Sequence, residues 1–239
     1  MTERNYDSYV GSNETYASNF AASAILKKVY LWMTFALLIS AFTAMTVAGN
    51  PQFVAAIFSS NAGFWILFLA QIGLVWFISS RIDRISFITA TLLFIAYSVV
   101  TGITLSSIFF VFTESSIASV FLITAGTFGA LSIFGYATKK DLTSWRTFLT
   151  MGLIGLILAS VVNWFLASET LYWIVSYAGV AIFVGLTAYD TQKIKQYAIA
   201  FANEGEEAQN KVALLGSLTL YLDFINLFLY ILRIFGKRK

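Results

Sequence analysis

The sequence predicts an all-α integral membrane protein, built as a bundle of seven transmembrane helices. Of its 239 residues, 59% are hydrophobic and only 11% are charged, whereas a soluble domain carries about 25% charged residues. The mean hydropathy is +0.78. The chain also contains seven long stretches almost free of charge, and a helix needs about 20 apolar residues to cross a bilayer.

The predicted spans follow one another with short polar connections. Residues 1–24 are rich in Asn, Ser, Tyr and Thr, and we interpret them as a flexible polar tail ahead of a transmembrane domain over residues 25–239. The turn residues GNPQ at 49–52 separate the first two spans. The seven spans are expected at about 26–48, 62–80, 85–113, 115–138, 147–168, 170–189 and 212–235.

The placement of Lys and Arg orients these spans, because short cytoplasmic loops carry an excess of basic residues. With the N-terminus in the cytoplasm, every basic residue up to Lys211 lies on the inner side. The outer connections near residues 49–61, 114 and 169 carry none. We therefore predict a cytoplasmic N-terminus.

The C-terminus departs from this pattern. Arg233, Lys237, Arg238 and Lys239 lie outside if the last segment crosses fully. The alternative is a re-entrant last segment that returns to the cytoplasm, which requires surrounding protein or water at membrane depth. We favour the full span, because the segment is long and has no Gly or Pro after Gly216 until Gly236.

The chain contains no Cys and no His. It therefore cannot build a disulfide scaffold, a Ser-His-Asp triad or an HExxH zinc site. No cofactor is predicted, and the basic residues indicate topology rather than binding to nucleic acid.

Asp223 stands in the middle of the last span, where an ionised carboxylate costs about 2.5–3.5 kcal/mol on insertion scales. At helical spacing it shares a face with Gly216, Thr219, Asn226, Tyr230 and Arg233. Lipid cannot satisfy such a polar stripe, so it should face the bundle interior. Acidic residues within spans commonly mark ion or proton sites, although a structural carboxylate satisfied by a neighbouring helix is the alternative.

Asp190 ends the sixth charge-free stretch, next to Tyr189. Consecutive spans run antiparallel, so Asp190 and Asp223 can meet toward the cytoplasmic side. Ionisation of both carboxyl groups at such close range is unfavourable, so the two groups titrate as a coupled unit. They could share a proton, bind a divalent cation such as calcium, or perform acid–base chemistry. Asp190 could instead pair with Lys193 on its own helix, and Arg81 or Arg84 could form a salt bridge with the site.

Four stretches together resemble the Bax inhibitor family, the transmembrane Bax-inhibitor-motif proteins, over about residues 25–236. They are AYDTQKI (188–194), LTLYLDFINLFLYILR (218–233), TGITLSSIF (101–109) and KKDLTSW (139–145). The resemblance is to a bacterial-type member, which implies an inner (plasma) membrane protein. It also implies a seven-helix fold with the last helix at its centre.

For function, the resemblance implies a pH-sensitive calcium leak controlled by an aspartate pair, which falls on Asp190 and Asp223. An arginine latch at the end of the second span falls on Arg81 or Arg84. Thr219, Asn226 and Tyr189 are candidate supporting residues. Where the family often carries an acid in the second span, this chain has Gln71.

The sequence thus predicts a calcium or cation leak channel or exchanger in which protons and calcium compete at Asp190 and Asp223, without enzymatic activity. One alternative is a non-catalytic regulator that binds another membrane protein, such as a membrane-bound protease. A remote alternative is an intramembrane aspartyl protease. That class carries Gly-x-Gly-Asp before its second acid, whereas Leu220, Tyr221 and Leu222 precede Asp223.

Overall fold

The computed structural model is an assembly of α-helices, and it describes the backbone of residues 3–58 and 61–239 and the side chains of residues 21–58 and 62–239. The helices are α1 (Glu3–Ala48), α2 (Pro51–Phe58), α3 (Asn61–Arg81), α4 (Phe87–Leu105), α5 (Ile108–Val111), α6 (Glu114–Ala137), α7 (Trp145–Leu166), α8 (Glu169–Ala200) and α9 (Glu206–Phe235).

Seven stretches of these helices are long and apolar enough to cross a membrane, which confirms the predicted number of spans. They are Ala21–Ala48, Ala62–Arg81, Phe87–Val111, Glu114–Ala137, Trp145–Leu166, Glu169–Ala200 and Glu206–Phe235. Their outer surfaces expose large apolar side chains such as Phe42, Phe148 and Phe165, as expected for helices that face lipid. The chain is an integral membrane protein.

The boundaries differ from the prediction where charge was used to end a span. The sixth span does not stop at residue 189, because α8 continues past Asp190 to Ala200. Similarly, α9 begins at Glu206 rather than near residue 212. A charged residue at the edge of the apolar layer does not end a helix, since its side chain can reach a polar cavity while the backbone remains hydrogen-bonded.

Two further features of the helices were missed. The connection after α1 contains the short helix α2, and the third span is interrupted between α4 and α5. At that interruption the hydroxyls of Ser106 and Ser107 bond to the carbonyls of Ile103 and Thr104, at 2.6 and 2.8 Å. Side-chain bonds of this kind compete with the helical ladder and favour its ending.

The C-terminal helix α9 lies at the centre of the bundle. It packs against α1, α4, α6 and α8. In the most apolar stretch of α9, 61% of the residues are buried, whereas this share is 39% or less in each of the other six spans. The central position predicted for the last helix is therefore confirmed.

The C-terminal residues lie beside the connection between α4 and α6. The backbone N–H of Thr113 donates to Lys237 O, and that of Lys239 donates to Val111 O, both at 3.0 Å. The guanidinium of Arg238 donates to the Tyr172 hydroxyl near the start of α8. Thus α9 crosses the whole bundle, and the re-entrant alternative does not describe this structure.

The division between residues 1–24 and the rest stays a prediction. The backbone of α1 is helical from Glu3 onward, and the part of it whose side chains are described, Ala21–Ala48, is apolar enough to span a membrane. The side chains of residues 1–20 lie outside the described part of the chain.

Close packing of α6 on α8 depends on Gly135. A Cβ atom built at this glycine would lie 2.3 Å from the backbone oxygen of Ala188. Backbone atoms cannot move aside as a flexible side chain can, so only Gly allows this approach. The contact places α6 directly behind the segment of α8 that carries Asp190.

We predict that Gly135→Ala destabilises the bundle by about 1–3 kcal/mol, because the added methyl group overpacks a rigid contact. Gly126→Ala on the same helix is the matched control, since a Cβ there meets nothing within 4 Å. Thermal unfolding in detergent should show a lower midpoint for Gly135→Ala alone. Equal midpoints for the two variants would show that the contact is not tight.

Candidate functional site

Asp190 on α8 and Asp223 on α9 meet inside the bundle. Both are buried, at 8% and 5% exposure. Their side chains are close enough for the two carboxyl groups to interact through charge and to share a hydrogen bond when one of them is protonated. The structure therefore brings together the two acids that the sequence singled out.

The contact has a consequence for protonation. A hydrogen bond between two carboxyl groups needs a proton on one of them, since an ionised carboxylate only accepts. Oδ2 of Asp223 is buried and receives no hydrogen bond from the N–H and O–H donors of the described residues. The arrangement suits a pair that shares one proton.

A cavity of about 780 Å³ lies beside Asp190, among the ends of α3, α8 and α9. Its polar lining includes Asp83, Lys193, Glu207, Lys211 and Thr219, whereas Asp223 is not part of the wall. Asp190 is therefore the member of the pair that an ion or water in the cavity reaches first.

The positive charges near Asp190 do not neutralise it by direct contact. Lys193 acts on Asp190 through its charge, and its ammonium lies 6.0 Å from the ring of Tyr189 and 5.8 Å from that of Tyr197. Among the described side chains, the salt bridge that forms is Lys211–Glu207, at 3.1 Å. The expected pairing of Asp190 with Lys193 is thus electrostatic rather than a salt bridge.

Arg81 and Arg84, the two candidate latches, are exposed at the end of α3 and in the turn after it. Neither forms a salt bridge with Asp190 in this structure, although Asp83 between them lines the same cavity. A latch would require one of these side chains to swing into the cavity.

The candidate supporting residues take different positions. Thr219 lines the cavity with Asp190, while its hydroxyl donates to Leu215 O at 3.0 Å. Asn226 donates to Leu222 O of its own helix at 2.8 Å, and Tyr189 is buried beside Asp190. Of the three, Thr219 is the one that shares the cavity with the aspartate pair.

Aromatic rings surround α9 next to its aspartate. The Tyr221 ring is edge-on to Phe94 and Tyr97 of α4, with centroids 5.9 and 5.7 Å away. The Phe224 ring is edge-on to Phe121 of α6 at 5.3 Å. Because Tyr221 and Phe224 are almost fully buried, these rings fill the space between α9 and its neighbours α4 and α6 close to the acid in sequence.

Sequence reasoning missed a hydroxyl chain that starts at Tyr221. Its hydroxyl lies 2.6 Å from Ser40 Oγ, and Ser40 Oγ donates to Ser98 O at 2.7 Å. The three residues come from α9, α1 and α4. The chain links helices remote in sequence, so no local pattern identifies it.

Gln192 was also missed, although it belongs to the AYDTQKI stretch. Its Oε1 accepts the backbone N–H of Leu142 at 2.8 Å, and its Nε2 donates to Lys140 O at 2.9 Å. The side chain thus holds the KKDLTSW connection against α8. The signal available in the sequence was an amide side chain two residues after Asp190.

The pair supplies carboxylate oxygens, but few of them. Among the described residues there is no group of three or more acidic, Cys or His side chains that could hold a metal ion. Gln71, where a third acid could have stood, donates to the hydroxyl of Thr104. Calcium takes six to eight oxygen ligands, so water or backbone oxygens would have to complete its shell.

Comparison with known proteins gives a consistent result over most of the chain. A family model described as "Inhibitor of apoptosis-promoting Bax1" matches residues 22–239. The inner membrane protein YbhL of Escherichia coli (strain K12) is 49% identical over 214 residues, which cover 90% of this chain and 92% of YbhL. A protein of Borreliella burgdorferi is 48% identical with the same coverage. A protein of Rickettsia prowazekii is 42% identical over 212 residues, 89% of each chain. The names of these relatives state no enzymatic activity.

We predict that Gln192→Ala loosens the connection between α6 and α7. Leu142 is 6% exposed, so its N–H would lose its partner without gaining water, at a cost of about 1–3 kcal/mol. Hydrogen exchange at residues 139–145 should become faster. The exposed Gln196→Ala is the control, and equal exchange in both variants would contradict the role of Gln192.

Proposed function

The chain belongs to the Bax inhibitor family, and from its buried aspartate pair we propose that it conducts cations, calcium in particular, in a pH-sensitive manner. It works as a leak channel or exchanger without catalysing a reaction. The observation that carries this proposal is the direct contact of Asp190 and Asp223 at the inner end of a cavity.

Protons and calcium would compete for the same oxygens. A carboxylate ligates a hard cation only when it is deprotonated, so calcium affinity falls as the pair takes up protons. A proton shared by the two acids also links them across α8 and α9. Ionisation of the pair therefore changes both the charge at the end of the cavity and the contact between the two helices.

The small number of oxygens favours conduction over storage. An ion must bind well enough to lose part of its hydration shell and weakly enough to leave. Two carboxylates next to a polar cavity meet this requirement better than a complete ligand cage. The layer around Tyr221 and Phe224 provides the barrier, since an apolar constriction excludes ions until its rings separate.

We further propose that the membrane is the bacterial inner membrane and that the N-terminus is cytoplasmic. The basic residues up to Lys211 support this orientation. In this orientation the cavity beside Asp190 opens toward the cytoplasm. The basic C-terminal residues then lie on the outer side, held there by their bonds to the α4–α6 connection.

The orientation can be tested by cysteine labelling, because the chain has no Cys of its own. Single cysteines replacing Asn50 and Lys239 should react with an impermeant maleimide added outside intact cells. Cysteines replacing Lys139 and Glu204 should react only after the membrane is opened. The reverse pattern would invert the proposed topology.

The function can be tested by calcium flux into proteoliposomes at several pH values. Wild type should show a pH-dependent flux. Asp190→Asn with Asp223→Asn keeps the shape of the site but removes its titration, so the pH dependence should disappear, whatever the absolute rate becomes. Asp83→Asn is the matched control, because this exposed acid lines the same cavity outside the pair. It should retain the pH dependence.

Identical pH–flux curves for wild type and the double variant would show that the aspartates are structural. Loss of the pH dependence in Asp83→Asn as well would indicate a general charge effect of the cavity rather than an effect of the pair.

A further inference from the structure

A groove between α1 and α6 is lined by neither member of the aspartate pair. Its volume is about 1040 Å³. Its lining includes Leu31, Leu38 and Ile133, whose exposed fractions are 70%, 62% and 70%. The groove therefore opens on the surface that faces lipid.

Ser132 gives this groove a polar point in its wall. The residue lines the groove at only 6% exposure, and its hydroxyl makes no hydrogen bond with the described residues. The hydroxyl of Thr124 on the same helix differs, since it donates to Val120 O at 2.8 Å. Buried hydroxyls without a partner also occur at Thr91, Thr101 and Thr191, but those residues do not line this groove. An unpartnered hydroxyl at membrane depth is unfavourable, so Ser132 is suited to a partner that occupies the groove.

Lys27 adds a positive charge at the same end of the groove. It is exposed, lines the groove and forms no salt bridge with any described side chain. Its neighbour Lys28 is engaged differently, by donating to Asn210 at 2.7 Å. An ammonium on a flexible stem near the end of a span can reach a phosphate at the membrane surface.

A single amphipathic ligand in the groove could reach both Ser132 and Lys27. Ser132 stands five residues before Ala137, the end of α6, which is about 7–8 Å along a helix. Lys27 of α1 lines the same groove. The hydroxyl and the ammonium are therefore both available to one ligand that carries an apolar chain and a charged headgroup.

We propose that the groove between α1 and α6 is a binding site for a glycerophospholipid from the leaflet on the Lys27 side. Its phosphate lies against the Lys27 ammonium, and an ester oxygen accepts a hydrogen bond from the Ser132 hydroxyl. An acyl chain follows the apolar wall past Phe35 and Gly129. The site is separate from the proposed ion path and does not depend on it.

A transmembrane helix of a partner protein fits these features less well. A backbone carbonyl of such a helix could accept the Ser132 hydroxyl, as Val29 O accepts from Ser217. Such a helix brings no phosphate for Lys27, however. A phospholipid supplies both the oxygen and the negative charge.

Gly129→Leu tests the site directly, because Gly129 lines the groove and a Cβ there meets nothing within 4 Å. The larger side chain extends into the groove from a position where its Cβ meets no neighbour. Gly126→Leu is the matched control on the same helix, equally open but outside the groove. Phosphatidylglycerol is added to delipidated full-length protein in detergent, and binding is measured by native mass spectrometry. Wild type and Gly126→Leu should bind it, and Gly129→Leu should lose binding.

Lys27→Gln separates the headgroup from the acyl chain and keeps the test independent of folding, since Lys27 is exposed. It should weaken phosphatidylglycerol binding, whereas Arg146→Gln, an exposed basic residue outside the groove, should not. Glycerol 3-phosphate, which has no acyl chain, should not compete with the lipid.

Three results would overturn the proposal. The first is equal lipid binding by the Gly129 and Gly126 variants, and the second is competition by glycerol 3-phosphate. The third is a membrane protein that co-purifies with the wild type and is displaced by Gly129→Leu, while the wild type does not bind phosphatidylglycerol. The last result would assign the groove to a partner helix.

Discussion

A carboxyl group inside a bilayer must find its partners within the protein, and Asp223 is the strongest example of this constraint in the chain. An isolated ionised acid at that depth is unfavourable by about 2.5–3.5 kcal/mol on insertion scales. At 5% exposure Asp223 is removed from lipid, and Asp190 is the group that meets it. The helix that carries such a residue has to be surrounded, and α9 is the most buried of the spans. The central position of α9 and the chemistry of the site thus have the same origin.

The same constraint explains how the helices around α9 are joined. Hydrophobic burial does not distinguish a neighbouring helix from lipid, so close packing and hydrogen bonds between helices determine the arrangement. Ser217 of α9 donates to Val29 O of α1 at 2.9 Å. Tyr221 of α9 reaches Ser40 of α1, which continues to α4. Gly135 brings α6 against the backbone of α8. These contacts surround α9 and fix the two helices that carry the aspartates.

The sequence was sufficient for the spans, the burial of Asp223 and its meeting with Asp190. Hydropathy identifies a span because the thickness of the bilayer sets the length of every helix that crosses it. Two acids on consecutive antiparallel spans avoid lipid most easily by facing each other inside the bundle. The extension of α8 to Ala200 was missed because the charge of Asp190 was treated as a span end, although the helix continues beside a polar cavity. The central place of α9 came from the family resemblance.

Contacts between residues far apart in sequence could not be predicted, because they depend on the relative rotation of the helices. The clamp of Gln192 on the connection at Leu142 is one example. The unpartnered hydroxyl of Ser132 is another. A serine looks the same in the sequence whether it bonds to its own helix or faces a groove. Only the position of the residue in the folded bundle, here in the wall of the groove between α1 and α6, distinguishes the two.

Asp190 and Asp223 are not equivalent, although they form a pair. Asp190 belongs to the wall of the polar cavity, whereas Asp223 does not line it and is almost fully buried on α9. A cation or proton that enters the cavity meets Asp190 first, and its charge reaches Asp223 through their shared contact. In the proposed function, a change in the pair's ionisation would act on α9, the helix that carries Tyr221 and Phe224. The pair would then connect proton uptake at the cavity to movement of the layer around these two rings.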